Sequence, residues 1–167
     1  MIPKADLDLG DLRIRTLEFH DAELIVAATS RELAPAVWGP EPAGPYTRAD
    51  ADAAMRVWDP GGEQISLGVM EESLLVAALG LMKDGPASAE LAYWVRPEAR
   101  GRGLARRSVC AVTAWAHRVV KLQRIWLEIS RLNSPSRRVA EGAGYTFDET
   151  RPDGYELWSH QSKSASS

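Results

Sequence analysis

The chain has 167 residues, about one domain's worth, and its 45% hydrophobic and 26% charged content excludes a mainly disordered or collagen-like polymer. Lysine and arginine number 20 against 23 acidic residues, a net charge of −3, so general attraction to nucleic acid or an anionic membrane has no support and any anion site must be local. The lone cysteine, Cys110, allows no intramolecular disulfide and has no Cys or His at ligand spacing, so no metal is expected and the cytoplasm is the natural compartment.

Met1 to Gly10 carries Lys4, Asp6 and Asp8 without an apolar core, and the longest apolar run, Leu74 to Met82, is far short of the ~20 residues of a bilayer span; neither export signal nor anchor is expected. Leu12, Ile14 and Thr16 alternate as a first strand, and Ala22 to Ala28 follows with helical spacing. Glu32 to Tyr46 holds four prolines around Trp38 and reads as a loop with one aromatic anchor. Thr47 caps a helix through Trp58. Gln64 to Met70, Leu74 to Lys83 and Ala89 to Val95 form a three-strand meander.

Apolar residues three and four apart predict one long amphipathic helix from Leu104 to Leu122. Arg124 to Ile129 is the next strand. A helix over Pro135 to Ala143 opens at the Asn133-Ser134 cap, and Tyr145 to Thr150 pairs with Tyr155 to His160. This order predicts a mixed α+β domain over residues 1–160 with a polar, disordered tail at 161–167.

The stretch Glu90-Leu-Ala-Tyr-Trp-Val-Arg-Pro-Glu-Ala-Arg-Gly-Arg-Gly-Leu-Ala105 carries the chemistry: a strand empties into a glycine- and arginine-rich turn directly before the long helix. A helix N-terminus presents unpaired N–H groups and the positive end of its dipole, and Gly101 and Gly103 remove side chains that would keep a phosphate away. Arg100, Arg102, Arg106 and Arg107 add charge there, so the pattern points to a diphosphate-bearing ligand, against the plainer alternative of a tight turn with solvated arginines. A Walker A loop and a Gly-x-Gly-x-x-Gly fingerprint are both absent.

At these residues a resemblance is specific. Arg100-Gly-Arg-Gly-Leu-Ala105 resembles the Arg/Gln-x-x-Gly-x-Gly/Ala acyl-CoA signature of the GNAT N-acetyltransferases. Asn133-Ser-Pro-Ser-Arg-Arg-Val-Ala-Glu-Gly-Ala-Gly-Tyr145 is similar to a segment of that family's RimJ/RimL-like branch, and Leu12 to Leu17 with His20-Asp21-Ala22 resembles its start. The likeness spans about Leu12 to Trp158. It implies a twisted, mostly antiparallel sheet of six to seven strands flanked by about four helices.

It further implies acetyl-CoA as acyl-donor cosubstrate. Backbone amides of Arg100, Gly101, Arg102, Gly103, Leu104, Ala105 and Arg106 would hold the diphosphate. Trp94 and Val95 would pair through their backbones with the pantetheine arm where two strands splay, Asn133 would bind that arm, and Ser136 would lie near the sulfur. The acceptor would be a primary amine of a small molecule or a protein N-terminus; no nucleic acid or membrane partner is implied, and a homodimer stays open.

Acyl transfer needs a neutral amine, a polarised carbonyl and a proton for the thiolate. An amine of pKa ~8 is roughly a tenth neutral at pH 7 and one near ~10.4 only about 0.04%, a gap of roughly 3 kcal/mol, so a base matters most for lysine-like acceptors. Glu90 is the candidate base, and the alternative is a solvated strand-end charge. The Val95 N–H is the candidate oxyanion donor. Many family members carry a tyrosine in the second motif's helix, where this chain has Ala140, so Ser136 becomes the candidate acid, against a serine bonded to its own helix or a bound water. The reading of another class is a CoA-binding regulatory module without turnover.

His20, His117 and His160 have no partner at catalytic spacing and are assigned no chemistry. Cys110 is expected inside the long helix's apolar face, and Trp115 and Trp126 in the core. Trp38 and Trp58 fall where this family closes over the acceptor and are candidate substrate-binding residues, with packing under the loop as the alternative. Glu32, Glu41, Asp50 and Asp52 nearby would favour a cationic acceptor or be a solvated face.

Overall fold

Alternating apolar residues and one long amphipathic helix build most of what a computed structural model describes, residues 1–30, 35–39, 44–58 and 61–163. The strands are β1 (Asp6–Asp8), β2 (Arg13–Thr16), β3 (Gln64–Glu71), β4 (Leu74–Lys83), β5 (Ser88–Val95), β6 (Arg124–Ser130), β7 (Thr146–Thr150) and β8 (Tyr155–Gln161). The helices are α1 (Ala22–Ala28), α2 (Pro35–Trp38), α3 (Arg48–Val57), α4 (Leu104–Trp115) and α5 (Ser134–Gly142).

All eight strands form one sheet in the order β1-β2-β3-β4-β5-β6-β8-β7. Every pairing is antiparallel except β5 with β6, whose parallel alignment follows from the α4 crossover between them. The sheet has one strand more than expected. Asp6-Leu7-Asp8 has no apolar alternation to betray it, and it is held by pairing with β2 and by Arg13, which donates to both carboxylate oxygens of Asp6 at 2.7 and 2.6 Å. At the other end, β8 runs through Gln161, one residue past the expected domain boundary, and the Ser162 N–H donates to the Gln123 carbonyl. Residues 164–167 of the expected tail lie outside the described residues, as do Glu32 and Glu41.

The long helix departs from expectation after Trp115, where Ala116–Val120 widens into a π turn closed by Lys121 in the left-handed region. Thr47 caps α3 as expected: its Oγ1 accepts from the Asp50 N–H while Asp50 accepts from the Thr47 N–H, an arrangement worth about 1 kcal/mol.

Strand alternation divides the core between the two sheet faces. Leu91, Ile125 and Leu127 pack beneath Val109, Val112 and Trp115 of α4. On the opposite face Trp94 and Ala78 pack with Ile25, Val37, Trp38, Tyr46, Met55 and Trp58 from the α1–α3 layer. The far end of the Trp58 ring packs against Gly80 of β4: a Cβ there would stand 2.8 Å from that ring and 3.1 Å from the Val37 carbonyl oxygen. Gly80→Ala is therefore expected to cost about 1–3 kcal/mol, read as a lower urea midpoint at unchanged slope.

Candidate active site

The parallel pairing of β5 with β6 is short. It joins Ser88, Ala89 and Glu90 to Arg124, Ile125 and Trp126, after which β5 runs on beside β4 to Val95 and β6 beside β8 to Ser130. The sheet splits at Glu90 into a wedge that opens toward the carboxyl ends of both strands, where α4 and α5 begin. The Arg96 N–H donates to the Val76 carbonyl in β4. By the two-residue alternation of a strand, the peptide groups of Trp94 face β4, where Trp94 pairs with Ala78, and those of Tyr93 and Val95 face the wedge. Of the expected backbone pair, Val95 is thus turned to the opening and Trp94 is not, its indole buried with Trp38. Tyr93 takes the second place.

At the mouth of the wedge the glycine turn leads into α4. Gly101 and Gly103 have φ of +77° and +74°, a region that side chains other than glycine's enter only with strain, and a Cβ on either would project into open space. The twelve-residue helix behind Gly103 directs its unpaired N–H groups into that space. A diphosphate can therefore approach the backbone donors with no side chain at either glycine in its way, and these residues fit the group the motif implies.

The arginines are more committed than the sequence suggests. Arg102 is paired bidentately with Glu71, and Arg107 with Asp11 at 2.6 and 2.9 Å, which holds the Asp11 carboxyl down to about 2. Arg106 donates to the Gly142 carbonyl at 3.2 Å, tying α4 to the end of α5, and Arg100 donates to the Val95 carbonyl at 2.9 Å. Charge at this turn is partly neutralised, so the helix N-terminus contributes more of the anion preference than the arginine count implies.

Glu90 stands where the strands part, on the sheet face opposite α4. Burial pushes its carboxyl above the usual range; nearby Glu128 and Asp84 add to this, and Arg151 opposes it. Arg151 is itself held by Glu128 at 2.8 Å, and Trp126, expected in the core, is half-buried on this same face with its indole N–H on Asp84 at 2.8 Å. A half-buried carboxylate whose proton affinity is raised, set at the vertex of an open wedge, is suited to accept a proton from an amine.

Across the wedge, the Asn133 side-chain oxygen caps α5 by accepting from the Ser136 N–H at 3.1 Å, so its amide nitrogen is the end able to meet a ligand. The Ser136 hydroxyl lies 2.5 Å from the Tyr93 hydroxyl. Its partner is a phenol on β5 rather than its own helix backbone, and the contact bridges the two diverging branches. Ala140 is fully buried and offers no hydroxyl. Tyr93 was not singled out from the sequence, although period-two alternation from Leu91 places its ring on the α4–α5 side.

A family model described as an acetyltransferase (GNAT) domain matches residues 11–146, which takes in the wedge and both helix entries. The chain belongs to the GNAT acetyltransferase family. Among solved structures, this GNAT domain is similar to the GNAT domain of S. lividans PAT, at 21% identity and TM-score 0.74 over 95% of this chain and 96% of that one. It also resembles the ribosomal-protein-S5-alanine acetyltransferase of Vibrio fischeri, at 16% identity and TM-score 0.79 over 96% and 98%. A third is the spermidine N-acetyltransferase of Vibrio cholerae, at 17% identity and TM-score 0.75 over 91% and 94%. A search of curated proteins found no significant match.

Other expected residues of this GNAT domain lie away from the wedge vertex or inside the core. Trp38 and Trp58 are buried in the α1–α3 layer, and the Trp38 indole N–H donates to Ser66 Oγ at 2.9 Å, so packing is the role the structure gives them. Cys110, expected inside, is exposed on α4 and lines an open groove with Leu9, Gly103, Arg106, Arg107 and Ala111. Among the described residues no helix is long and apolar enough to cross a membrane, and no group of three or more His, Cys, Asp or Glu is arranged to hold a metal.

His117 and His160, 43 residues apart, are hydrogen-bonded at 2.9 Å through Nε2 and Nδ1, and His117 Nδ1 lies 2.7 Å from the Leu122 carbonyl. Burial, then the neighbouring His117, holds His160 below the ordinary histidine range. The unfolded chain then binds the extra proton first, so stability is expected to fall as pH drops below about 6.5 and to level off once His160 itself protonates. Urea melts at pH 7.5 and 5.5 check this, with the difference shrinking in His160→Gln.

Proposed function

We propose that this GNAT domain transfers an acetyl group from acetyl-CoA to a primary amine, of a small molecule or a protein N-terminus, by direct attack while both substrates are bound. The observation that carries the reading is the split of β5 from β6 beyond Glu90 with two helix entries at its open end. A backbone edge left unpaired there wants hydrogen-bond partners, and an amide-bearing arm supplies them.

Backbone N–H groups from Gly101 to Arg106 hold the diphosphate, the Arg100 N–H expected with them being taken by the Pro97 carbonyl, and the Asn133 amide with the Tyr93 carbonyl and the Val95 N–H orients the arm. The donor brings an activated thioester to the vertex. The Tyr93 N–H, turned into the wedge three residues from Glu90, donates to the carbonyl oxygen as charge develops on it; the Val95 N–H expected in this role is five strand residues from Glu90, about 16 Å, too far to share one thioester with that base. Glu90, ionised, takes the proton of the attacking amine directly or through one water, and Ser136 donates a hydrogen bond to the departing sulfur. The Glu90, Glu128 and Asp84 carboxylates around that vertex favour an acceptor that arrives as a cation. A cytoplasmic setting fits a chain whose single thiol is exposed.

The test is release of free thiol from acetyl-CoA with a panel of N-terminal peptides, polyamines and aminoglycosides. Amine-dependent release is expected. Tight CoA binding with no turnover on any of them would replace the enzyme by a CoA-binding regulatory module.

A further inference from the structure

The Ser136 hydroxyl has one proton, and catalysis by it depends on where that proton points. Two hydroxyls meet at 2.5 Å, Tyr93 on β5 and Ser136 in the first turn of α5, and each has a single hydrogen to give. A phenol is a far stronger acid than an aliphatic alcohol and hence the better donor, while the alcohol oxygen is the better acceptor. The stable arrangement is therefore Tyr93 O–H donating to Ser136 Oγ. With the Tyr93 hydrogen lying between the two oxygens, Ser136 must direct its own O–H away from Tyr93. The Ser136 N–H is already engaged with Asn133, which fixes the first turn of the helix and with it the position of the oxygen.

We propose that Tyr93 is a positioning residue that, by donating to Ser136 Oγ, aims the Ser136 hydroxyl hydrogen at the sulfur of the departing thiolate. This deepens the proposed reaction and rests on it, since it takes the thiol to lie beside Ser136. In the step concerned the amine nitrogen forms its bond to the carbonyl carbon and the C–S bond breaks with its electron pair on sulfur. The Ser136 O–H meets that pair as a hydrogen bond. The proton that finally makes the thiol is the one the amine releases, passed through Glu90 and water, so Tyr93 and Ser136 end the cycle as they began it.

Burial pushes the Tyr93 phenol above the ordinary tyrosine range, with the Ser136 hydrogen bond pulling the other way, so the donor keeps its proton at working pH. It also explains how a chain with buried Ala140 in α5 still brings a phenol to this helix: the hydroxyl comes from the strand.

The test is a titration of the thiol of bound CoA, followed by thiolate absorbance in the CoA complex, with free CoA titrated in parallel. The donor pair is expected to lower the bound thiol's pKa by about one unit, a roughly tenfold gain in thiolate at a given pH. Tyr93→Phe and Ser136→Ala should each abolish most of that gain, and their double variant should lose no more than either alone. Turnover should fall by a similar factor with the acetyl-CoA KM unchanged. Tyr93→Phe keeps the ring that fills the site; if it nevertheless melts early, fluorotyrosine at position 93 keeps the shape and, as a stronger donor, should lower the thiol pKa further. A response to Ser136→Ala but none to either change at 93 overturns the Tyr93 role alone. No response to any of them overturns it together with the Ser136 assignment, and failure of CoA to bind at all removes the proposed function beneath both.

Discussion

Replacing Gly103 by glutamate is expected to weaken acetyl-CoA binding at least about 100-fold, close to 3 kcal/mol. Two effects combine. A carboxylate about 4 Å from a diphosphate adds ~1 kcal/mol per charge pair even in water, and a side chain at φ +74° costs about 1–2 kcal/mol of backbone strain that counts against binding because the free turn can relax out of it while the bound turn cannot. The added Cβ meets no neighbouring atom, so the fold should persist and the loss should fall on the ligand. Gly103→Ala separates the parts, showing the strain without the charge, about tenfold or less. Calorimetric titration with CoA is the measurement; an affinity untouched by glutamate would mean that the diphosphate binds elsewhere.

The second large effect concerns Glu90→Gln. With a lysine-like acceptor, kcat/KM at neutral pH is expected to fall on the order of 100-fold, the lower end of what a positioned base contributes. A peptide α-amine, which is neutral far more often, should lose less. The pH profile gives the decisive sign. Glu90 works ionised, and burial with Glu128 beside it raises its proton affinity, so activity is lost as pH falls through a value above the ordinary carboxylate range. That acid limb should vanish in the glutamine variant, leaving only the amine's own titration, and should move down in Glu128→Gln. Stability changes the other way: an ionised, half-buried carboxylate destabilises the fold above its folded pKa, so Glu90→Gln should melt higher at pH 8. An inactive variant that also melts lower would mark Glu90 as structural.

The parts of the molecule that were legible in the sequence are those where the cause is local. The meander, the β5–α4–β6 crossover, the Thr47 and Asn133 caps and the glycine turn all announce themselves within a few residues, through alternation, helical spacing or cap chemistry. What escaped depends on residues far apart in the chain. Arg107 looks available for a phosphate until Asp11, 96 positions away, is beside it. His117 and His160 look solitary until β8 pairs with β6. Tyr93 becomes informative only when α5 brings Ser136 across the wedge. The choice between Trp94 and Val95 is subtler, since strand identity does not say which peptide groups face which neighbour; that needs one anchored bond, here Arg96 to Val76. β1 has no apolar signature, because an edge strand of Asp-Leu-Asp is specified by its partner.

The three rungs between Ser88–Glu90 and Arg124–Trp126 have a mechanical meaning as well. With the Gln123 and Arg124 N–H groups on the Ala87 carbonyl and the Trp126 indole on Asp84, they join a five-strand to a three-strand half-sheet along a short seam, and α4 and α5 brace that seam from one side. A donor wedged along the gap acts as a keystone: it spans both halves and converts a hinge into a continuous arch. Occupancy should then be felt far from the thioester, as slower amide exchange in β4 and β8 alike and as a melting point that climbs with donor concentration, by about 2.7 kcal/mol of added stability at a hundredfold excess over Kd.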